Sequence, residues 1–347
     1  MSNLQQQLAT IRQGTVQPVY LVSGTEHYLI ERFKQTIITA VLDGDTSSDF
    51  NFTTFNMEED ELQAAVQEAE SIPFFGKQRL VFVTHPTFLT GKPSKSDPDH
   101  NLEALVNYLQ APADFSVLVI FAPYEKLDKR KKITKTLLKQ AEVIDVSPLD
   151  TNALARYVKE AVQTQGYRFQ DGAFNALMER TDYQLTTIMS ELQKLYLYHM
   201  EDKYITRHSV DELVTRTLES NIFEINELVL TKQANQAIQV FADLLLQKEE
   251  PLKILAIMLS QFRLLLQVHI LRAKGYQQAE IAKEISAHPY RVKLAMKTER
   301  RFNRELLAQA YQQLIQAEYR IKTGQVDPEL QFELFVMQFT GQKESKT

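Results

Sequence analysis

The 347-residue chain has no cysteine, which excludes structural disulfides, thiolate metal sites and any cysteine nucleophile. Its histidines, at 27, 85, 100, 199, 208, 269 and 288, show neither zinc-protease spacing nor clustering with carboxylates, so no metal is expected. There is no Gly-x-Ser-x-Gly elbow, and 44 Asp and Glu are too many to nominate an acid–base pair. An enzyme with catalytic residues scattered along the chain stays open at this point, because an active site need not be local in sequence. No uninterrupted run of about twenty apolar residues is available to cross a bilayer. The opening Met1-Ser2-Asn3-Leu4-Gln5-Gln6-Gln7 lacks the basic and then apolar regions of a secretory signal, so a cytoplasmic location is expected. Bulk positive charge is lacking too: 39 Lys and Arg give a net charge of -5. Any contact with nucleic acid must therefore be a local patch. A chain this long should divide into two or three domains.

What is present first is a strand, a turn and a helix. Leu4, Leu8 and Ile11 recur at helical spacing, Pro18 to Val22 reads as a buried strand, and Thr25-Glu26 after Gly24 opens a helix with Tyr28, Leu29, Phe33 and Ile37. This is where a nucleotide-binding fold keeps its phosphate loop, Gly-x-x-x-x-Gly-Lys-Ser/Thr, whose amides cradle phosphate. Counted from Gly24, the second glycine, the lysine and the hydroxyl are Leu29, Ile30 and Glu31. A carboxylate there would repel phosphate. Gly91-Lys92 fails as well, being followed by Pro93 and having Pro86 where the first glycine belongs. The strands Arg79 to Val83 and Val117 to Phe121 run into Thr84-His85 and Ala122-Pro123, without the acidic pair that would hold magnesium. No cofactor is expected. With a helix carrying Leu102, Leu105, Val106 and Leu109, and a last strand at Val143 to Val146, residues 1–146 read as an α/β domain with a largely parallel sheet.

From Pro148 the pattern is helical. Asp150 or Thr151 caps a helix with Leu154, Tyr157, Val158 and Val162; further helices carry Phe174, Leu177 and Met178, then Leu185 to Leu195. We assign 147–208 to a small helical domain and 209–347 to a second one. Within the latter, Ile222 to Leu228, Ala237 to Leu246, and Pro251 to Arg272 read as helices, with Gly275 after the last. Two basic stretches stand out. Lys126, Lys129, Arg130, Lys131 and Lys132, continued by Lys135 and Lys139, read as an amphipathic helix with a cationic face, the plain alternative being a solvated surface. Glu280 to Ile285, a His288-Pro289 turn and Tyr290 to Lys293 could pass for a helix-turn-helix, with Lys297, Arg300, Arg301 and Arg304 extending a basic edge; helix pairs with short turns are generic in bundles.

The most unusual stretch is Ser71-Ile72-Pro73-Phe74-Phe75-Gly76. Before it, Asn56 followed by Glu58, Glu59, Asp60 and Glu61 reads as the cap and acidic first turn of a helix, with Leu62, Val66 and Ala69 on one face. After it the strand begins at Arg79. Phe74 and Phe75 thus occupy a connection, where adjacent side chains diverge and are hard to bury together. Either both rings close the core beneath the corner, or they form a wedge for a partner's pocket.

Pro73-Phe74-Phe75-Gly76, followed by a basic residue and an apolar strand, resembles the clamp-contact corner of the delta subunit of the bacterial DNA polymerase III clamp loader. The resemblance runs in order along nearly the whole chain. It takes in Pro18 to Leu21, Ser190-Glu191-Leu192-Gln193-Lys194-Leu195 (similar to an Asn-Glu-Leu-x-Lys-Leu signature, with Ser190 the departure), Pro251 to Leu255 with Gln261-Phe262-Arg263, Ala287 to Lys293, and Arg320 to Gly324. It implies an AAA+-type ATPase-like domain with a degenerate nucleotide site, a small helical lid and a C-terminal helical collar, in a ring with delta-prime and tau/gamma subunits that hydrolyse ATP. It further implies that Phe74 and Phe75, supported by Ile72 and Pro73, enter an apolar pocket of the beta sliding clamp, which opens to encircle primed DNA.

Overall fold

The computed structural model describes residues 3–42, 50–74, 76, 78–91, 98–287 and 289–341. The chain divides into two compact units, Met1–Leu149 and Asp150–Thr347. In the first, α1 (Asn3–Arg12), β1 (Val19–Ser23), α2 (His27–Leu42), β2 (Phe52–Asn56), α3 (Leu62–Glu70), β3 (Arg79–Thr84), α4 (Leu102–Tyr108), β4 (Ser116–Ala122), α5 (Lys132–Gln140) and β5 (Glu142–Asp145) alternate. The strands form one sheet in the order β2-β3-β4-β1-β5, every neighbouring pair parallel. Parallel strands need crossover helices, and these cover both faces, so β1, β3 and β4 are apolar throughout most of their length.

Alternation along the strands separates two cores. Val19, Leu21, Val81, Val83, Leu118 and Ile120 face α3, α4 and α5 through Leu62, Val66, Leu105, Ile133 and Leu137. On the other face Tyr20 meets Phe33 of α2 edge-on at 5.4 Å, and Phe121 packs edge-on against Phe33 and Phe82. The α/β reading holds, with two corrections. Asn56 does not cap a helix: it ends β2, pairing with Thr84, and α3 begins only at Leu62. Its amide donates to Asp60 Oδ2 at 2.8 Å, so the acidic run forms a turn. The cationic helix is also shorter than expected, because Lys126, Lys129, Arg130 and Lys131 all precede α5.

The second unit begins with α6 (Thr151–Thr164), β6 (Arg168–Phe169), α7 (Ala173–Arg180), α8 (Leu185–Tyr198), β7 (Tyr204–Ile205) and α9 (Arg207–Leu213). Asp150 caps α6 as expected, its Oδ1 accepting from the Asn152 and Ala153 amides. Then come α10 (Leu218–Leu230), α11 (Ala234–Leu246), α12 (Pro251–Ala273), α13 (Gln278–Glu284), α14 (Pro289–Glu299), α15 (Arg304–Lys322) and α16 (Pro328–Thr340). By length and composition α12 could cross a membrane. It is instead the central helix of this core: Leu255, Met258, Phe262 and Val268 are sealed among residues of α10, α14, α15 and α16. Lys253, Gln261, Arg263 and His269 interrupt its apolar sequence.

Candidate functional site

The corner between α3 and β3 turns Ile72 and Phe74 outward while buried polar groups hold its main chain. Ile72 is 76% exposed and Phe74 73%. Beneath them sits Asn51, buried at the entrance to β2, whose Oδ1 accepts the Phe74 amide at 2.9 Å. Arg79, also buried, pairs with Glu68 of α3 and donates to the Ile72 carbonyl at 3.2 Å. Glu68 accepts from Thr53 Oγ1 at 3.3 Å as well. Gly76 turns at φ +81°, a conformation that favours glycine. The alternative in which both rings close the core therefore fails for Phe74. Pro73 is half-buried; Phe75 lies outside the described residues. The sequence reading missed Phe50, 59% exposed, whose ring centre lies 6.0 Å from that of Phe74.

At the exit of β1 the turn is only Gly24-Thr25-Glu26. The Gly24 amide donates to the Ala122 carbonyl at 3.2 Å and the Glu26 amide to the Val146 carbonyl at 2.9 Å. Phosphate-cradling loops keep such amides available to the ligand; here they close on the ends of neighbouring strands. Leu29 and Ile30 are buried, and Glu31 pairs with Lys34 at 2.7 Å. Gly24 is needed for a different reason. A Cβ would stand 2.3 Å from Val146 C and Ser147 N.

The basic stretches are partly structural. Arg130 forks onto Asp128 at 2.8 and 2.9 Å, and that hydrogen bonding holds the Asp128 carboxyl well below the usual range. Lys131 donates to the Phe88 carbonyl at 2.9 Å. Lys132, Lys135 and Lys139 lie on the open side of α5, with Lys131 half-buried just before it. In the second unit Lys297, Arg300, Arg301 and Arg304 are all exposed, but Arg301 is committed to Glu227. As a DNA-reading helix α14 is poorly placed: Val292 and Ala295 are buried in the core and Arg291 pairs with Asp182 at 3.3 Å. His288 lies outside the described residues.

One cluster has the outline of a hydrolase triad. His199 Nδ1 lies 3.0 Å from Asp202 Oδ1, and Nε2 lies 2.8 Å from Ser209 Oγ. Ser209, however, is 1% exposed and belongs to the capping box of α9, its Oγ donating to the Thr206 carbonyl at 2.9 Å. A sealed hydroxyl cannot reach a substrate. Among the described residues, no group of His, Asp and Glu could hold a metal ion.

The fold overlays that of the Bacillus subtilis DNA clamp loader delta protein with a TM-score of 0.77 and 39% sequence identity, covering 98% of this chain and 100% of that one. The parallel-sheet domain and the large helical unit thus define the class, a clamp-loader subunit. By sequence, the chain is 39% identical over 335 residues to the DNA polymerase III subunit delta of B. subtilis, covering 96% of each. The probable delta subunit of Aquifex aeolicus is 24% identical over 267 residues, 74% of this chain and 72% of that one. Residues 20–147 match the family model of the DNA polymerase III delta subunit, and 219–339 that of its C-terminal domain. The chain belongs to the DNA polymerase III delta subunit family.

Proposed function

We propose that this subunit binds the beta sliding clamp through Ile72, Pro73, Phe74 and Phe75 and opens it for loading onto primed DNA, without hydrolysing ATP itself. The outward Phe74, on a main chain anchored by Asn51 and Arg79, carries this reading. Burying two Phe rings in a partner is worth roughly 3–6 kcal/mol before association costs, enough to anchor but not to bind tightly alone. Bound only to one clamp conformation, the corner shifts the clamp's population towards it. The amides of the β1–α2 turn, tied to Ala122 and Val146, support the absence of ATP hydrolysis by this chain.

The ATP would be hydrolysed by neighbouring delta-prime and tau/gamma subunits in a cytoplasmic complex. We read the second unit as two domains, 147–208 and a collar over 209–347. Among the described residues the core of α10–α16 draws on none before Leu218, and the two family matches leave 148–218 between them. Lys297, Arg300 and Arg304 form the edge best suited to DNA phosphates, with Arg301 held back by Glu227. The deciding experiment is a pull-down against the beta clamp. The Phe74→Ala, Phe75→Ala double variant should keep its fold and lose binding; unfolding of that variant, or undiminished capture, would sink the proposal.

A further inference from the structure

The corner is not the whole of the exposed apolar surface at this end of the first unit. Phe50 directly precedes Asn51, the residue whose side chain accepts the Phe74 amide. Its ring centre lies 6.0 Å from that of Phe74, the planes inclined by 31°. Phe50 and Phe74 are 59% and 73% exposed, and Ile72 is 76% exposed. Large apolar side chains gathered on a surface mark an interaction site, and aromatic anchors beside one another are the usual centre of such a site. The two segments are also joined through the main chain. Asn51 accepts the Phe74 amide with its side chain and the Leu80 amide with its carbonyl, at 2.9 and 2.8 Å. A short polar side chain at position 51 thus fixes where both rings stand before any partner arrives, and order in the unbound state lowers the cost of binding.

We propose that the docking surface is built from two chain segments: Phe50 is a contact ring beside Phe74, and Asn51 is the positioning residue that locks the segments together. The inference rests on the reading of the corner as the clamp-docking site, and its occupant is the same apolar pocket.

The test uses the full chain and the beta clamp, with affinity measured for Phe50→Ala, Asn51→Ala, Asn51→Asp and Phe74→Ala, and hydrogen exchange of the Phe74 amide followed in the unbound protein. Phe50→Ala should weaken binding about tenfold without lowering thermal stability, since the ring is largely exposed. Asn51→Ala should speed exchange of the Phe74 amide and weaken binding; Asn51→Asp, which keeps the acceptor oxygen, should restore protection. If Phe74→Ala abolishes binding while Phe50→Ala stays within about twofold of the parent, the two-segment surface is wrong and the docking corner stands. Unchanged Phe74 exchange in Asn51→Ala removes the positioning role. Undiminished binding by Phe74→Ala overturns the docking corner itself, and this inference with it.

Discussion

Gly24 is the glycine that a nucleotide-binding reading would assign to phosphate, and its replacement by alanine separates that role from a packing role. A Cβ at position 24 would meet Val146 C and Ser147 N at 2.3 Å and Val146 O at 2.6 Å, all main-chain atoms that cannot rotate aside. The residue also sits at φ +134°, where a side chain costs about 1–3 kcal/mol. Moving the end of β5 away would break or stretch the bond from the Glu26 amide to the Val146 carbonyl, worth about 0.5–1.5 kcal/mol. Together these give a loss of about 2–4 kcal/mol in the first unit, a fall in its unfolding midpoint of roughly 10 °C for a unit of this size. Calorimetry of the full chain, with hydrogen exchange of the β1 and β5 amides to assign the transition, reads this directly. Stability within about 0.5 kcal/mol of the parent would refute the packing argument.

The second unit supplies three further tests. Glu299, 2% exposed, is held by His269 Nδ1 at 2.7 Å and by Arg272; Glu299→Ala should cost roughly 2–4 kcal/mol in denaturant unfolding, less than a fully buried pair because both partners reach solvent. Burial pushes the Asp211 carboxyl up, but Arg180 and Arg207 outweigh it and hold it below its ordinary value. A depressed carboxyl stabilises the fold above its unfolded pKa of about 3.9 and loses that contribution as pH falls through the native value. Asp211→Asn should therefore be less stable at neutral pH by under about 1 kcal/mol, with the two proteins converging in acid; parallel curves throughout would contradict this. Arg300→Glu with Arg304→Glu should weaken DNA binding by the assembled loader and flatten its salt dependence, measured by titration at several ionic strengths.

Much of the fold was legible because long helices and buried parallel strands carry strong periodic signals. Pro251 and Asp150 marked their helix starts, and Val117 to Phe121 could hardly be anything but a covered strand. Strand β2 was missed because Phe52-Thr53-Thr54-Phe55-Asn56 is a half-exposed edge whose acidic sequel imitates a helix start. At the corner, the setting of Phe74 and Phe75 singled the rings out but left burial and exposure both open, and the structure settles the matter for Phe74, 73% exposed. Its supports were not legible: Asn51 and Arg79 act through side-chain bonds to main-chain atoms 23 and 7 residues away, and neither looks unusual in its own neighbourhood.

The polar mounting of the corner also bears on how it carries mechanical load. The Arg79 amide is bonded to the Phe115 carbonyl and the Leu80 amide to that of Asn51, so a tug on Phe74 is shared at once between two adjacent strands and the chain leading into a third. Hydrogen bonds loaded side by side resist together, whereas a ring on a slack loop would stretch its tether first. A partner that pulled on the tip would load the sheet through these bonds.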